Sequence, residues 1–198
     1  MGTPLFCKGE NMVQTYKPEK EECMPDKRIF LARAGAKYST LARDQLIKKI
    51  NSLFLEAYDQ IDPVVWYSFF EKSELPKELI PDTFENVGKI TIFLSTLGKK
   101  IDMLIEYYSD SGKTFESLIV DSWASESLEK LNENVDRKFR EQFGAGTMRF
   151  SPGYGNVDMR MNKYIVERLL RADQVKVLES GVMIPRKTTT CMIGWLSV

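Results

Sequence analysis

Lys89-Ile90-Thr91-Ile92-Phe93-Leu94-Ser95-Thr96-Leu97-Gly98 is a run rich in β-branched and aromatic residues closed by a glycine. Residues that crowd a helix but pack well on a pleated surface predict a strand over 89–95. The glycine allows the chain to turn into a helix reaching Tyr108, because Leu97, Ile101, Leu104, Ile105 and Tyr108 recur at helical spacing. A second run of the same kind, 64–70, follows the helix breaker Asp62-Pro63 and predicts a second buried strand. Before that breaker, Leu46, Ile47, Ile50, Leu53, Phe54, Ala57 and Tyr58 predict an amphipathic helix capped by Ser39 or Thr40.

The longest helix is expected from Thr114 to Phe143, with Phe115, Leu118, Leu128, Leu131, Val135 and Phe139 as its core stripe and Gly144-Ala145-Gly146 as its end. Beyond it, 147–150 reads as extended, Ser151-Pro152-Gly153-Tyr154-Gly155 as a loop and 159–170 as a last helix. Residues 175–178, 182–184 and 190–196 read as terminal strands, with shorter ones near 12–15 and at 29–32. Strands and helices interleave irregularly. That predicts an α+β fold, a central mostly antiparallel sheet flanked by helices, rather than a doubly wound sheet. The 198 residues suit one domain, an N-terminal arm (1–36) leading into a body (37–198).

Composition narrows the chemistry. There are 28 basic and 28 acidic residues, which gives no electrostatic reason to expect nucleic acid as a partner. No apolar run reaches the roughly 18–20 residues of a membrane span, and the N-terminus has no signal-peptide pattern, so no membrane partner and a cytoplasmic location are expected. Cys7, Cys23 and Cys191 are widely spaced and read as reduced thiols, with no metal site. There is no histidine. A Ser-His or Cys-His pair, an imidazole proton relay and an axial histidine ligand are all out of reach, so no catalytic residue is assigned.

Two glycine-containing segments imitate nucleotide sites and fail. Ser111-Gly112-Lys113-Thr114 would need a glycine where Tyr107 stands, and it follows a helix rather than a strand; Thr114 is expected instead to cap the next helix. Gly144-Ala145-Gly146 precedes extended chain, not a helix. The acidic cluster Asp121, Glu126 and Glu129 reads either as a solvated helix face or as a working one. Asp121-Ser122-Trp123-Ala124-Ser125 interrupts the apolar stripe, as a surface meeting a ligand or another chain does.

Arg149-Phe150-Ser151-Pro152-Gly153-Tyr154 has more chemistry in it. A guanidinium at the end of extended chain can take a carboxylate on two donors. The glycine lets backbone approach a ligand, and Tyr154 adds a ring with a polar tip. Arg-x-x-x-Gly-Tyr is similar to the S-adenosylmethionine-binding motif of the reactivation domain of cobalamin-dependent methionine synthase. In the same order, Phe93 to Gly98 resembles that family's strand-to-helix turn, and Asp121 to Glu129 its small-residue helix segment. Glu179-Ser180-Gly181-Val182-Met183-Ile184-Pro185 with Gly194-Trp195 resembles its carboxyl-terminal hairpin.

The resemblance implies a role in methionine biosynthesis. A reactivation subunit would present S-adenosylmethionine to a separate cobalamin-bearing methionine synthase chain, with an electron from a flavoprotein donor, and restore methylcobalamin from cob(II)alamin. The corrinoid would then sit only on the partner, and the chain would be a component of that methyltransferase rather than an autonomous enzyme. By the same resemblance Arg149 would hold the methionyl carboxylate, Ser151 and Gly153 would give backbone contacts, and Tyr154 would face the corrin. The family's ligand-contacting glutamate falls at Ser125, which makes neighbouring Glu126 its stand-in. Two further readings stand beside this one: a non-catalytic adaptor that docks on a corrinoid protein without binding S-adenosylmethionine, and a ligand-binding module of another corrinoid methyltransferase.

Overall fold

The computed structural model describes residues 12–33 and 44–196. Its strands are β1 (Gln14–Tyr16), β2 (Val64–Glu71), β3 (Val87–Thr96), β4 (Lys176–Val177), β5 (Met183–Ile184) and β6 (Thr188–Leu196). Four of them form one antiparallel sheet in the order β1-β2-β3-β6, while β4 and β5 pair separately. Helices α1 (Lys27–Arg33), α2 (Asp44–Gln60), α3 (Lys99–Asp110) and α4 (Thr114–Phe143) complete the main body. A short α5 (Met161–Tyr164) runs into a π-helical turn, Ile165–Leu169. The chain has the α+β fold that the sequence predicts.

The unbroken apolar runs of β2 and β3 have a simple cause: both faces of the sheet are covered. Alternation along each strand sends Val65, Tyr67, Phe93, Cys191 and Ile193 toward the helices α1–α4. It sends Trp66, Ile90, Ile92 and Met192 to a second core closed by Leu79, Phe84, Ile165 and Val166. Several polar groups trapped in these layers are paired, while Trp123 Nε1 and Ser127 Oγ of α4 are buried without a hydrogen-bond partner. Trp195 Nε1 donates to Thr91 Oγ1 at 2.7 Å, Thr190 Oγ1 to Asn162 Oδ1 at 2.6 Å, and Ser95 Oγ to Asn132 Oδ1 of α4.

Several local expectations change. Residues 29–32 belong to helix α1, not a strand, because Asp26 starts a helix there: its carboxylate accepts the Arg28 amide at 2.7 Å and its carbonyl the Ile29 amide at 3.0 Å. The described part of the segment expected as an arm packs on the body, with β1 paired to β2 and both Cys23 and Leu31 fully buried. The expected cap at Ser39 or Thr40, and Cys7, lie outside the described residues.

In α4 the stripe turns over at its first third. Phe115 and Leu118 are exposed, while Ile119, Val120, Trp123 and Ala124 are buried and lead into Leu131, Val135 and Phe139. Thr114 is the first helical residue and caps nothing; the Ser117 amide bonds the Lys113 carbonyl at 3.0 Å. The Lys113 ammonium lies over the rings of Tyr107 and Tyr108, at 5.5 and 5.6 Å. Among the described residues no helix is long and apolar enough to cross a membrane.

Candidate functional site

Helix α4 ends at Gly144, whose φ of 85° turns the chain back along the free edge of β6. There residues 147–150 continue the sheet irregularly. The Thr147 amide donates to the Gly194 carbonyl at 2.8 Å, and Phe150 exchanges backbone bonds of 2.9 and 2.7 Å with Met192. Alternation then decides what each side chain meets. Phe150 packs toward the second core, 6.2 Å from the Phe84 ring centre, and Arg149 turns to α4.

Arg149 is held there by two carboxylates. Its Nη2 donates to Glu129, and its Nε lies 3.8 Å from Asp136 Oδ2. Burial works against the charged guanidinium, but the hydrogen bond and charge of Glu129 outweigh it, and the pKa of Arg149 is raised. Asp136 is also committed to Arg140, at 2.8 Å.

These groups belong to one ridge. Asp121, Ser125 and Glu129 are spaced by four residues, with Asp136 two turns further on, and they lie along one side of α4. At the ridge's start the Lys187 ammonium, just before β6, is 2.8 Å from both Asp121 Oδ1 and Ser125 Oγ. The small-residue interruption of the apolar stripe is thus split in two. Trp123 and Ala124 are core, and Asp121 and Ser125 face the β5–β6 connection that carries Lys187.

After Arg149, the Ser151 hydroxyl donates to the Thr190 carbonyl at 2.7 Å, which fixes the loop to β6. Pro152 is buried, and the Gly153 amide closes a tight turn on the Val157 carbonyl at 2.8 Å. Gly153 has a φ of 96°, and an added Cβ would meet only Met159 at 3.5 Å, so the left-handed backbone, rather than crowding, calls for glycine. Tyr154, at the turn's tip, is 71% exposed. An open groove of about 620 Å³ is lined by Thr83, Thr147, Met148, Arg149, Phe150, Ser151 and Tyr154, within the range of small-molecule sites.

Of the five residues selected from sequence, Arg149, Ser151 and Tyr154 line this groove, and Gly153 shapes the loop between them. Glu126 goes elsewhere: its carboxylate binds Arg33 of α1. The acidic group that meets Arg149 is Glu129, one turn on, whose place on the Asp121-Ser125 ridge was readable from the four-residue spacing. Asp136, seven residues beyond Glu129 on the same helix, was readable in the same way, whereas Lys187 carried no such signal, since only the fold brings it to the ridge. The described cysteines offer no nucleophile here. Cys191 is buried beside Ser151, its thiol pushed up to about 11 by burial, and Cys23 is buried as well. Among the described residues no three His, Cys, Asp or Glu side chains are grouped to hold a metal ion. The arrangement sets Arg149, ion-paired with Glu129, beside an open groove with an exposed aromatic rim.

No family model matches the chain, and no curated protein matches it in sequence. Among solved structures, it is similar to the crystal structure of the MetH reactivation domain bound to AdoHcy. That likeness has a TM-score of 0.62 and 15% sequence identity, and covers 98% of this chain and 81% of the other. At this identity the likeness establishes the fold: the sheet, its flanking helices and its order along the chain.

Proposed function

We propose that this chain is an S-adenosylmethionine-binding reactivation subunit serving a separate cobalamin-bearing methionine synthase chain. The observation that carries this reading is the Arg149-to-Tyr154 loop. On a fold shared with a reactivation domain, Arg149, Ser151 and the exposed Tyr154 line one open groove, and the Gly153 turn shapes the loop between them. In this reading Arg149 receives the methionyl carboxylate, the Ser151–Gly153 backbone borders the ligand, and Tyr154 faces the partner's corrin.

The chemistry suits a chain without histidine. S-adenosylmethionine carries an electrophilic methyl on a sulfonium, and its thioether departs neutral, so the chain needs to move no proton. What the residues must supply is position and exclusion of water. Arg149 anchors one end of the ligand, and the fixed loop directs the other toward the open side of the groove. Met148, 88% exposed, and Tyr154 give that side an apolar rim for a docking partner.

The test mixes the chain with a cobalamin-loaded methionine synthase lacking its own reactivation domain, in the cob(II)alamin state, with S-adenosylmethionine and a flavoprotein electron donor. The visible spectrum should pass to that of methylcobalamin at a rate that depends on the added chain. Equal rates with and without it would refute the proposal. The isolated chain should carry no corrinoid and transfer no methyl group to homocysteine.

A further inference from the structure

We propose that Asn156 is a positioning residue for the groove, and that it holds the turn carrying Thr83 where the Thr83 hydroxyl meets the bound ligand; this rests on the reading of the groove as an S-adenosylmethionine site. Of the seven residues that line the groove, Thr83 alone comes from outside 147–154. It is carried on the connection between β2 and β3, where the Phe84 amide closes a turn on the Pro81 carbonyl at 2.9 Å. The base of that turn is anchored. Phe84 is 1% exposed and packs edge-on to Phe150, and the Lys72 ammonium donates to its carbonyl at 2.6 Å.

The outer end of the turn is held from across the groove, by Asn156. Its Oδ1 accepts the Asp82 amide at 3.0 Å, and its Nδ2 donates to the Ile80 carbonyl at 2.9 Å. One side-chain amide thus acts as a rung between two loops, with both its donor and its acceptor spent on backbone. Asn156 itself lies inside the Tyr154 turn, where the Val157 amide bonds the Tyr154 carbonyl at 3.2 Å. The tie therefore falls next to Thr83 on one wall and two residues from Tyr154 on the other. Hydroxyls elsewhere in the groove are engaged: Ser151 donates to the Thr190 carbonyl, and Thr147 bonds the Met148 carbonyl and the Gly194 amide. Thr83 is the lining threonine or serine left to a ligand. It stands beside Phe84 on the Phe150 side of the loop, whereas Arg149 turns to α4, so a ligand anchored by its carboxylate on Arg149 meets Thr83 with its other end. A hydroxyl already fixed in place binds better than a mobile one, because little freedom is lost when the ligand arrives.

Two measurements test this: calorimetric titration of wild type, Thr83→Val, Asn156→Ala and the double variant with S-adenosylmethionine, and amide hydrogen exchange of the ligand-free proteins by NMR. Thr83→Val and Asn156→Ala should each weaken binding by about three- to tenfold, with melting temperatures within about 5 °C of wild type. The double variant should lose less than the product of the two effects, because Asn156 acts through Thr83. The Asp82 amide should exchange faster in Asn156→Ala than in wild type. Wild-type affinity in Thr83→Val, or losses that multiply in full, would overturn the inference while leaving the functional reading standing. Unchanged Asp82 exchange would overturn the clamp whatever the ligand does. No binding of S-adenosylmethionine to wild type would overturn both readings.

Discussion

At the scale of single residues, the proposed function rests on Arg149. Arg149→Ala removes a charge-assisted anchor and should weaken S-adenosylmethionine binding by about ten- to a hundredfold, with the circular dichroism spectrum unchanged. Unaltered affinity would remove Arg149 from the site. Two carboxyl groups make pH predictions of opposite sign. Burial pushes the Glu22 carboxyl up, but hydrogen bonds from Lys138 and Tyr16 outweigh it and hold its pKa below the usual range. A lowered carboxyl stabilises the fold above its unfolded pKa and loses that contribution as pH falls through the folded value. The melting-temperature advantage of wild type over Glu22→Gln should thus be present at about pH 7 and shrink as the pH falls below about 4. Asp102 is the reverse. Burial raises its pKa, against the Arg186 amide that bonds Oδ2, and Oδ1 has no hydrogen-bond partner. Its ionisation costs stability as pH rises, so Asp102→Asn should gain on wild type between about pH 4 and pH 7. Arg149 and Tyr154 were legible in the sequence because their roles depend on residue type beside a loop. Choosing Glu129 over Glu126 was not, since that choice turns on which side of α4 meets the β6 edge, a fact of packing.

At the scale of elements, the strands and helices were legible wherever apolar runs or helical spacing lasted long enough. β2, β3 and the full span of α4 follow from such patterns. The first third of α4 misled because Phe115 and Leu118 fit the helical period as well as Ile119 and Trp123 do, and only docking against α2 and α3 decides which set is buried. Segment 29–32 misled because β-branched and aromatic content outweighed the cap at Asp26. The lower half of α4 fixes the ridge against the sheet through Phe139, whose ring is fully buried and edge-on to Tyr67 at 5.4 Å and Phe69 at 6.0 Å. Phe139→Ala should cost about 3–5 kcal/mol, measured by urea unfolding. Gly181, in the β4–β5 turn at a φ of 89°, has no room for a Cβ, which would run into the Met159 carbonyl. Gly181→Ala should lose roughly 1–2 kcal/mol from the left-handed backbone alone, and more from that contact.

At the scale of the whole molecule, the two-faced sheet has the Arg149 loop closed along its β6 edge, with the loop's aromatic tip outward. Tyr154→Phe should therefore melt within about 0.5 kcal/mol of wild type yet slow reactivation of the partner. A large loss of stability with normal reactivation would place the tyrosine in the core instead. The central claim is that the groove binds S-adenosylmethionine, and titration of the purified chain with that compound by isothermal calorimetry tests it most directly. The account predicts saturable binding at one site per chain, competed by S-adenosylhomocysteine. A flat titration, with no heat and no rise in melting temperature at millimolar ligand, would contradict it.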